Sequence, residues 1–171
     1  MAESAAVLIP PLGDQREGKP MRTVFTAGAI LCFVTMPSLV RAAEPIATAD
    51  GEAPGTGIEV RELKVGGGAV TLKFVLKNGS DKPIDIYHMM DASDGGSVDA
   101  IYLVDVPGKK KYLVVRDSDS HCLCSRKIPD SLKPNDSVAL WAKFPAPPDS
   151  VQKIGVVVPH FTPMDDVPIS H

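Results

Sequence analysis

The chain is short of several things, and each shortage removes a class of protein. Three cysteines among 171 residues are too few for a disulfide-dense mini-protein. Basic residues are not in excess: 18 Lys and Arg stand against 21 Asp and Glu, for a net charge of −3. Sequence-independent nucleic-acid binding needs clustered cations, so it fits poorly. A balance of 44% hydrophobic and 23% charged residues suits neither a disordered chain nor a collagen. The sequence has no G-x-S-x-G elbow, no H-E-x-x-H, no P-loop and no G-x-G-x-x-G. Long helical windows are few, while 16 Pro and 14 Gly punctuate the chain. That leans towards β structure, in one domain with appendages.

What is present begins with a second start. Met21 to Ala43 reads MRTVFTAGAILCFVTMPSLVRAA. Arg22 supplies a basic n-region, and Thr23 to Met36 an apolar stretch long enough for a signal core but short for a membrane span. Pro37 breaks it, and Val40-Arg41-Ala42 matches a cleavage site after Ala42. Leu31 before Cys32 argues against a lipoprotein signal. Residues 1–20 therefore read as an over-extended start and 21–42 as a signal peptide. Removing residues 1–42 takes away four basic and three acidic residues, moving the charge from −3 to −4, and leaves Cys122 and Cys124. The expected product is periplasmic or secreted, with no stable membrane span after cleavage.

Residues 43–57 (AEPIATADGEAPGTG) read as a flexible spacer. Short strand-like runs follow. Ile58–Val65 leads to a Gly66-Gly67-Gly68 turn, then Val70, Leu72, Phe74 and Leu76 alternate with Thr71, Lys73 and Lys77. Asn78-Gly79-Ser80-Asp81-Lys82 reads as a turn, since Asn-Gly tolerates positive φ. Pro83–Met89 is expected to be a strand, with Ile84, Ile86 and His88 on one face. Ile101–Val106 and Tyr112–Arg116 flank a hairpin turn at Pro107-Gly108-Lys109-Lys110. Asp117–Asn135 reads as irregular, Ser137–Phe144 and Ile154–Pro159 as strands, and Phe161–His171 as a tail. Seven runs at roughly 8–12-residue spacing predict an all-β, immunoglobulin-like antiparallel sandwich over residues 58–171. Trp141 is expected to pack between the sheets or against a sheet edge.

The pieces YLVD (102–105), GKKKYLVVRD (108–117), CLCS (122–125), LKPNDSVALWAKFPAPP (132–148) and VVVPHFTPMDDVPI (156–169) carry a resemblance. Together with Leu76–Ser80 and Pro83-Ile84, they resemble an immunoglobulin-like domain of bacterial envelope proteins. In some of those proteins the domain stands ahead of an OmpA-like peptidoglycan-binding domain. The similarity reaches the immunoglobulin-like module and no OmpA-like region. It implies an envelope location and a binding or spacer role, without an activity.

His121-Cys122-Leu123-Cys124 is the most pointed chemical feature. Two cysteines in an oxidising compartment pair readily, and residues two apart in an extended segment share a face. Their Cα separation is then expected near the upper end of the disulfide range, closing a very small ring. A redox-cycling pair, a thiolate metal site with His121, and free or intermolecularly paired thiols are the alternatives. The metal would be copper, with His88, Met89, Met90, His160 and Met164 as candidate further donors, but strand alternation puts His88 and Met89 on opposite faces, and His88 reads rather as a packing residue and Met89 and Met90 as core and loop filler; otherwise no cofactor is expected. Asp91, Asp94 and Asp99 miss the calcium-loop spacing and read as a solvated acidic loop, and Asp165-Asp166 as a surface pair. Lys109, Lys110 and Lys111 form a basic hairpin tip, suited to edge protection or to contact with a partner. The leading expectation is a non-enzymatic, exported envelope module that binds a partner protein or cell-wall component. The alternative is a periplasmic copper-binding or thiol-redox protein using His121, Cys122 and Cys124.

Overall fold

The computed structural model describes residues 44–93 and 96–171. The segments expected to be an over-extended start (1–20) and a signal peptide (21–42) lie outside the described residues. In chain order the strands are β1 (Ala47–Asp50), β2 (Thr56–Gly66), β3 (Ala69–Asn78), β4 (Ile84–Asp85), β5 (Tyr102–Asp105), β6 (Lys110–Leu113), β7 (Ser131–Leu132), β8 (Ser137–Pro145), β9 (Lys153–Val157) and β10 (Met164–Pro168). One helical turn, α1 (Ile86–Met89), follows β4. The described residues are all-β, with two four-stranded antiparallel sheets in the orders β1-β2-β3-β8 and β10-β9-β5-β6. β4 and β7 make a small two-stranded pair. Among the described residues no helix is long and apolar enough to cross a membrane.

Period-2 patterning builds the first sheet. Val70, Leu72, Phe74 and Leu76 of β3 face inward, opposite Phe144, Ala142, Leu140 and Val138 of β8. The β2–β3 turn is made by Gly67 and Gly68 at φ +61° and +78°, values that L side chains adopt only with strain. Leu103, Tyr112, Ile154, Val156, Met164 and Val167 of the second sheet close the same core.

Two strands break the period and still bury their apolar residues. Val60 and Leu63 are three apart, yet both are buried, because a bulge at Arg61 inserts an extra residue between the pairs Val60–Phe74 and Glu62–Lys73. Met164 and Val167 repeat the device, with a register shift across Asp165-Asp166 and Asp166 at φ +55°. The tail at 161–171 is therefore structured as β10. Ser170 then bridges to Lys64, exchanging backbone hydrogen bonds with Leu63 and Val65, and covers the half of β2 that β1 does not reach.

Three further expectations are corrected. The spacer at 43–57 carries β1, which pairs with β2 from Ala47–Val60 to Asp50–Gly57. Ala-Thr-Ala-Asp has little strand propensity of its own, so the neighbouring strand dictates its conformation. The run Pro83–Met89 extends only through Asp85. There the Asp85 carboxylate caps α1 by accepting from the His88 N–H at 3.0 Å, and Ile86 and Met89 are buried at helical spacing. Trp141 lies on the outward face of β8 at 38% exposure, because Leu140 and Ala142 take the inward positions.

The chain turns over residues 80–82 as expected, with neither Asn78 nor Gly79 at positive φ. Asn78 ends β3, buried, and acts through its amide. Its Nδ2 donates to the carbonyls of Lys82 (2.8 Å) and Leu132 (2.9 Å), and its Oδ1 accepts from the Ser80 N–H and hydroxyl. Its backbone N–H donates to Asp136 O, and its carbonyl accepts from Asn135 N. One side chain thus ties the end of β3 to β7.

Candidate functional site

The His-Cys-x-Cys segment lies where the two sheets meet. Cys122 and Cys124 form a disulfide, with Cα atoms 5.3 Å apart and both residues buried. Two fully extended steps span about 6.6 Å, so the chain contracts at Leu123 and the separation falls in the common disulfide range rather than at its upper end. Around Leu123 three segments exchange a closed ring of backbone hydrogen bonds. Val115 N–H donates to Lys143 O, Lys143 N–H to Leu123 O, and Leu123 N–H to Val115 O, at 2.7–2.9 Å. The bridges Arg116–Cys122 and Cys124–Ala142 flank that ring. The disulfide thus fixes a strip that covers the outer side of β8 and links it to the chain leaving β6.

His121 is exposed, unlike the two buried cysteines beside it. It sits in an exposed turn with Asp117 and Asp119, whose nearest ligand-type atoms and its own lie within 4.8 Å of one another. Asp117 Oδ1 is committed to that turn, accepting from the N–H groups of Asp119 (3.0 Å) and His121 (2.9 Å). The two sulfurs are bonded to each other and offer no thiolates, and Met89, Met90 and Met164 are core residues.

His88 and His160 do meet, with ring centroids 5.1 Å apart, since α1 rather than a strand carries His88. His160 is gripped from two sides. Its Nδ1 lies 3.0 Å from Glu52 Oε2 and its Nε2 3.2 Å from Asp91 Oδ1. The hydrogen bond with Glu52, then that with Asp91, raises the imidazole pKa against a smaller opposing effect of burial. Donation from both nitrogens requires the imidazolium. Its contribution to stability is complete below the ordinary histidine value of about 6.5 and fades as pH rises through the elevated one. In an NMR titration His160 is expected to titrate above that ordinary value, with Glu52→Gln and Asp91→Asn each lowering its midpoint. A midpoint at or below the ordinary value in the wild type would contradict the clamp.

The acidic loop is likewise not simply solvated. Asp94 lies outside the described residues and Asp91 reaches His160. Burial pushes the Asp99 carboxyl upward, but the hydroxyls of Ser93 and Ser97, a backbone N–H and the Arg116 guanidinium together hold it below its usual range.

The basic hairpin sits on an open cleft of about 920 Å³, whose walls include Val106, Pro107, Lys110, Val151, Lys153 and Asp165. The tip is held by Asp105, whose buried carboxylate accepts from the Gly108 N–H at 3.0 Å. A Cβ on residue 108 would come within 2.0 Å of that carboxylate, which is why glycine stands there. Lys109 adopts φ +51°, and the Lys111 ammonium lies 3.5 Å above the Tyr102 ring centroid. Lys109, Lys110 and Lys111 are exposed, and among the described residues none forms an ion pair with a carboxylate.

No family model matches the chain, and no curated protein or solved structure does.

Proposed function

We propose that the protein is an exported, non-enzymatic module of the bacterial cell envelope, periplasmic or secreted. In this reading it is an immunoglobulin-like sandwich that binds a partner protein or cell-wall component. The observation that carries the reading is the buried Cys122–Cys124 disulfide downstream of a signal-like segment. A bridge of this kind persists in oxidising compartments and is rare in the cytosol. Binding rather than catalysis is supported by an open cleft under a basic hairpin tip, on a chain whose sequence carries none of the common catalytic motifs. The thiol-redox and copper alternatives both require accessible sulfurs, whereas Cys122 and Cys124 are 5% and 4% exposed.

Export is tested by fusing residues 1–43 to an alkaline phosphatase that folds only after crossing the inner membrane of a Gram-negative host. Phosphatase activity in the periplasmic fraction, lost when a charged residue replaces Leu31, is the expected result. An inactive fusion confined to the cytosol would overturn the reading.

A further inference from the structure

The strand edges of the two sheets are closed in different ways. The outer side of β8 is taken by Leu123 and Ser125, which exchange backbone hydrogen bonds with Lys143 and Trp141. β1 lies beside the chain leading into β10, where Thr162 N–H donates to Asp50 O and Gly51 bridges to Phe161. β10 carries its bulge at Asp165-Asp166, a feature that spoils a regular ladder. β6 is different. It pairs with β5 through four regular positions, Asp105–Lys110 to Tyr102–Leu113. Among the described residues no strand pairs with its other side.

The side chains along that edge describe the strand that would fit it. Lys111 and Leu113 stand on the outward face, opposite Val104 and Tyr102, while Tyr112 points into the core. Leu113 is 62% exposed, a large apolar group left in water. Lys109, Lys110 and Lys111 are exposed beside it. Lysine on an edge opposes pairing with a second copy of the same edge, because like charges then face each other. The same charges favour an incoming strand that carries carboxylates.

We propose that the free edge of β6 accepts an antiparallel strand from an acidic protein segment. That segment places an apolar residue opposite Leu113 and, two residues later, an Asp or Glu opposite Lys111. Main-chain hydrogen bonds to Lys110–Leu113 supply the attachment, and the Leu113 and Lys111 positions supply the selectivity, as in strand addition generally. The inference deepens the binding reading above and rests on it.

The test uses the full chain, isotope-labelled and oxidised. It is titrated with a capped octapeptide containing Val-Thr-Glu among threonines, and separately with the Val-Thr-Lys counterpart. The Glu peptide is expected to shift the amide signals of residues 110–113 and slow their hydrogen exchange. It should bind roughly tenfold more tightly than the Lys peptide, about 1.4 kcal/mol. Lys111→Glu should reverse that preference, and Lys111→Gln, the variant to use if the first folds poorly, should abolish it. Equal binding of the two peptides, or no change at β6 with millimolar peptide, would overturn the proposal. So would protection of β6 in concentrated protein without peptide, which would assign the edge to a second copy of the chain. None of these outcomes bears on export, which the phosphatase fusion decides separately.

Discussion

Phe74→Ala is expected to destabilise the domain by about 4 kcal/mol, the middle of the range for removing a buried aromatic ring. Phe74 is 1% exposed and lies in the middle of β3, between Val60 of β2 and Leu140 of β8. Both of those neighbours are pinned by backbone pairing, so the sheet has little freedom to close over the lost volume. The cost combines the lost transfer of a ring from water with the cavity left behind. Domains of this size are stable by only about 5–15 kcal/mol, so the variant gives up a large part of its margin. Chemical denaturation should show the midpoint falling with an unchanged slope. Phe74→Leu should recover much of the loss, since it refills most of the space. A loss below about 1 kcal/mol for alanine would mean that the two sheets do not share a packed core at this point.

The second large effect is expected at Asn78. Its amide gives two donors to the carbonyls of Lys82 and Leu132, and accepts from Ser80, in a site where the residue is 1% exposed. Alanine removes all of these bonds and takes the amide donor from the buried Leu132 carbonyl, while the exposed Lys82 carbonyl keeps the Ser80 hydroxyl, a change costing about 3 kcal/mol. Asn78→Asp separates shape from chemistry. It keeps the size and the acceptor but cannot donate, and it turns a carboxylate towards two carbonyl oxygens. Aspartate should therefore be no better tolerated than alanine above about pH 5, where the unfolded carboxyl is ionised and folding must either bury the charge or take up a proton. If Asn78→Asp left stability unchanged, the amide donors to Leu132 and Lys82 would not be what holds β7 to the end of β3.

Which features are legible in the sequence follows from whether they are local. The β2–β3 hairpin is readable, because Val70, Leu72, Phe74 and Leu76 state their period directly and three glycines mark the turn. β8 is readable for the same reason, although the expectation of an inward or edge-packed Trp141 followed its size rather than that alternation, which puts it outward. The bulged strands hide themselves. A spacing of three, as in Val60 and Leu63 or Met164 and Val167, has no strand period until a partner shows where the extra residue goes. β1 is invisible because alanine, threonine and aspartate are held there by β2 rather than by their own preference. α1 reads as a strand because Ile84 and Ile86 alternate, while the Asp85 cap that decides the matter is a single residue.

At the candidate site, local pairing is readable and distant pairing is not. Cys122 and Cys124 are two residues apart, and spacing and compartment make a bridge the foremost expectation. His160 stands out in the sequence for the wrong chemistry. Its partners Glu52 and Asp91 lie 108 and 69 residues away in sequence, and nothing near residue 160 announces them. The basic hairpin tip is visible as three consecutive lysines. That the strand beginning there has an unpaired outer side emerges only from the sheet order.

Signal cleavage and the Cys122–Cys124 bridge are both read in one measurement. It is the intact mass of the protein recovered from the periplasm of an expressing host, with and without iodoacetamide under denaturing conditions. The predicted result is a chain beginning at Ala43, two hydrogens lighter than its reduced form, that takes up no label until it is reduced. A chain that retains residues 21–42, or one whose Cys122 and Cys124 both take the label without reduction, would contradict it.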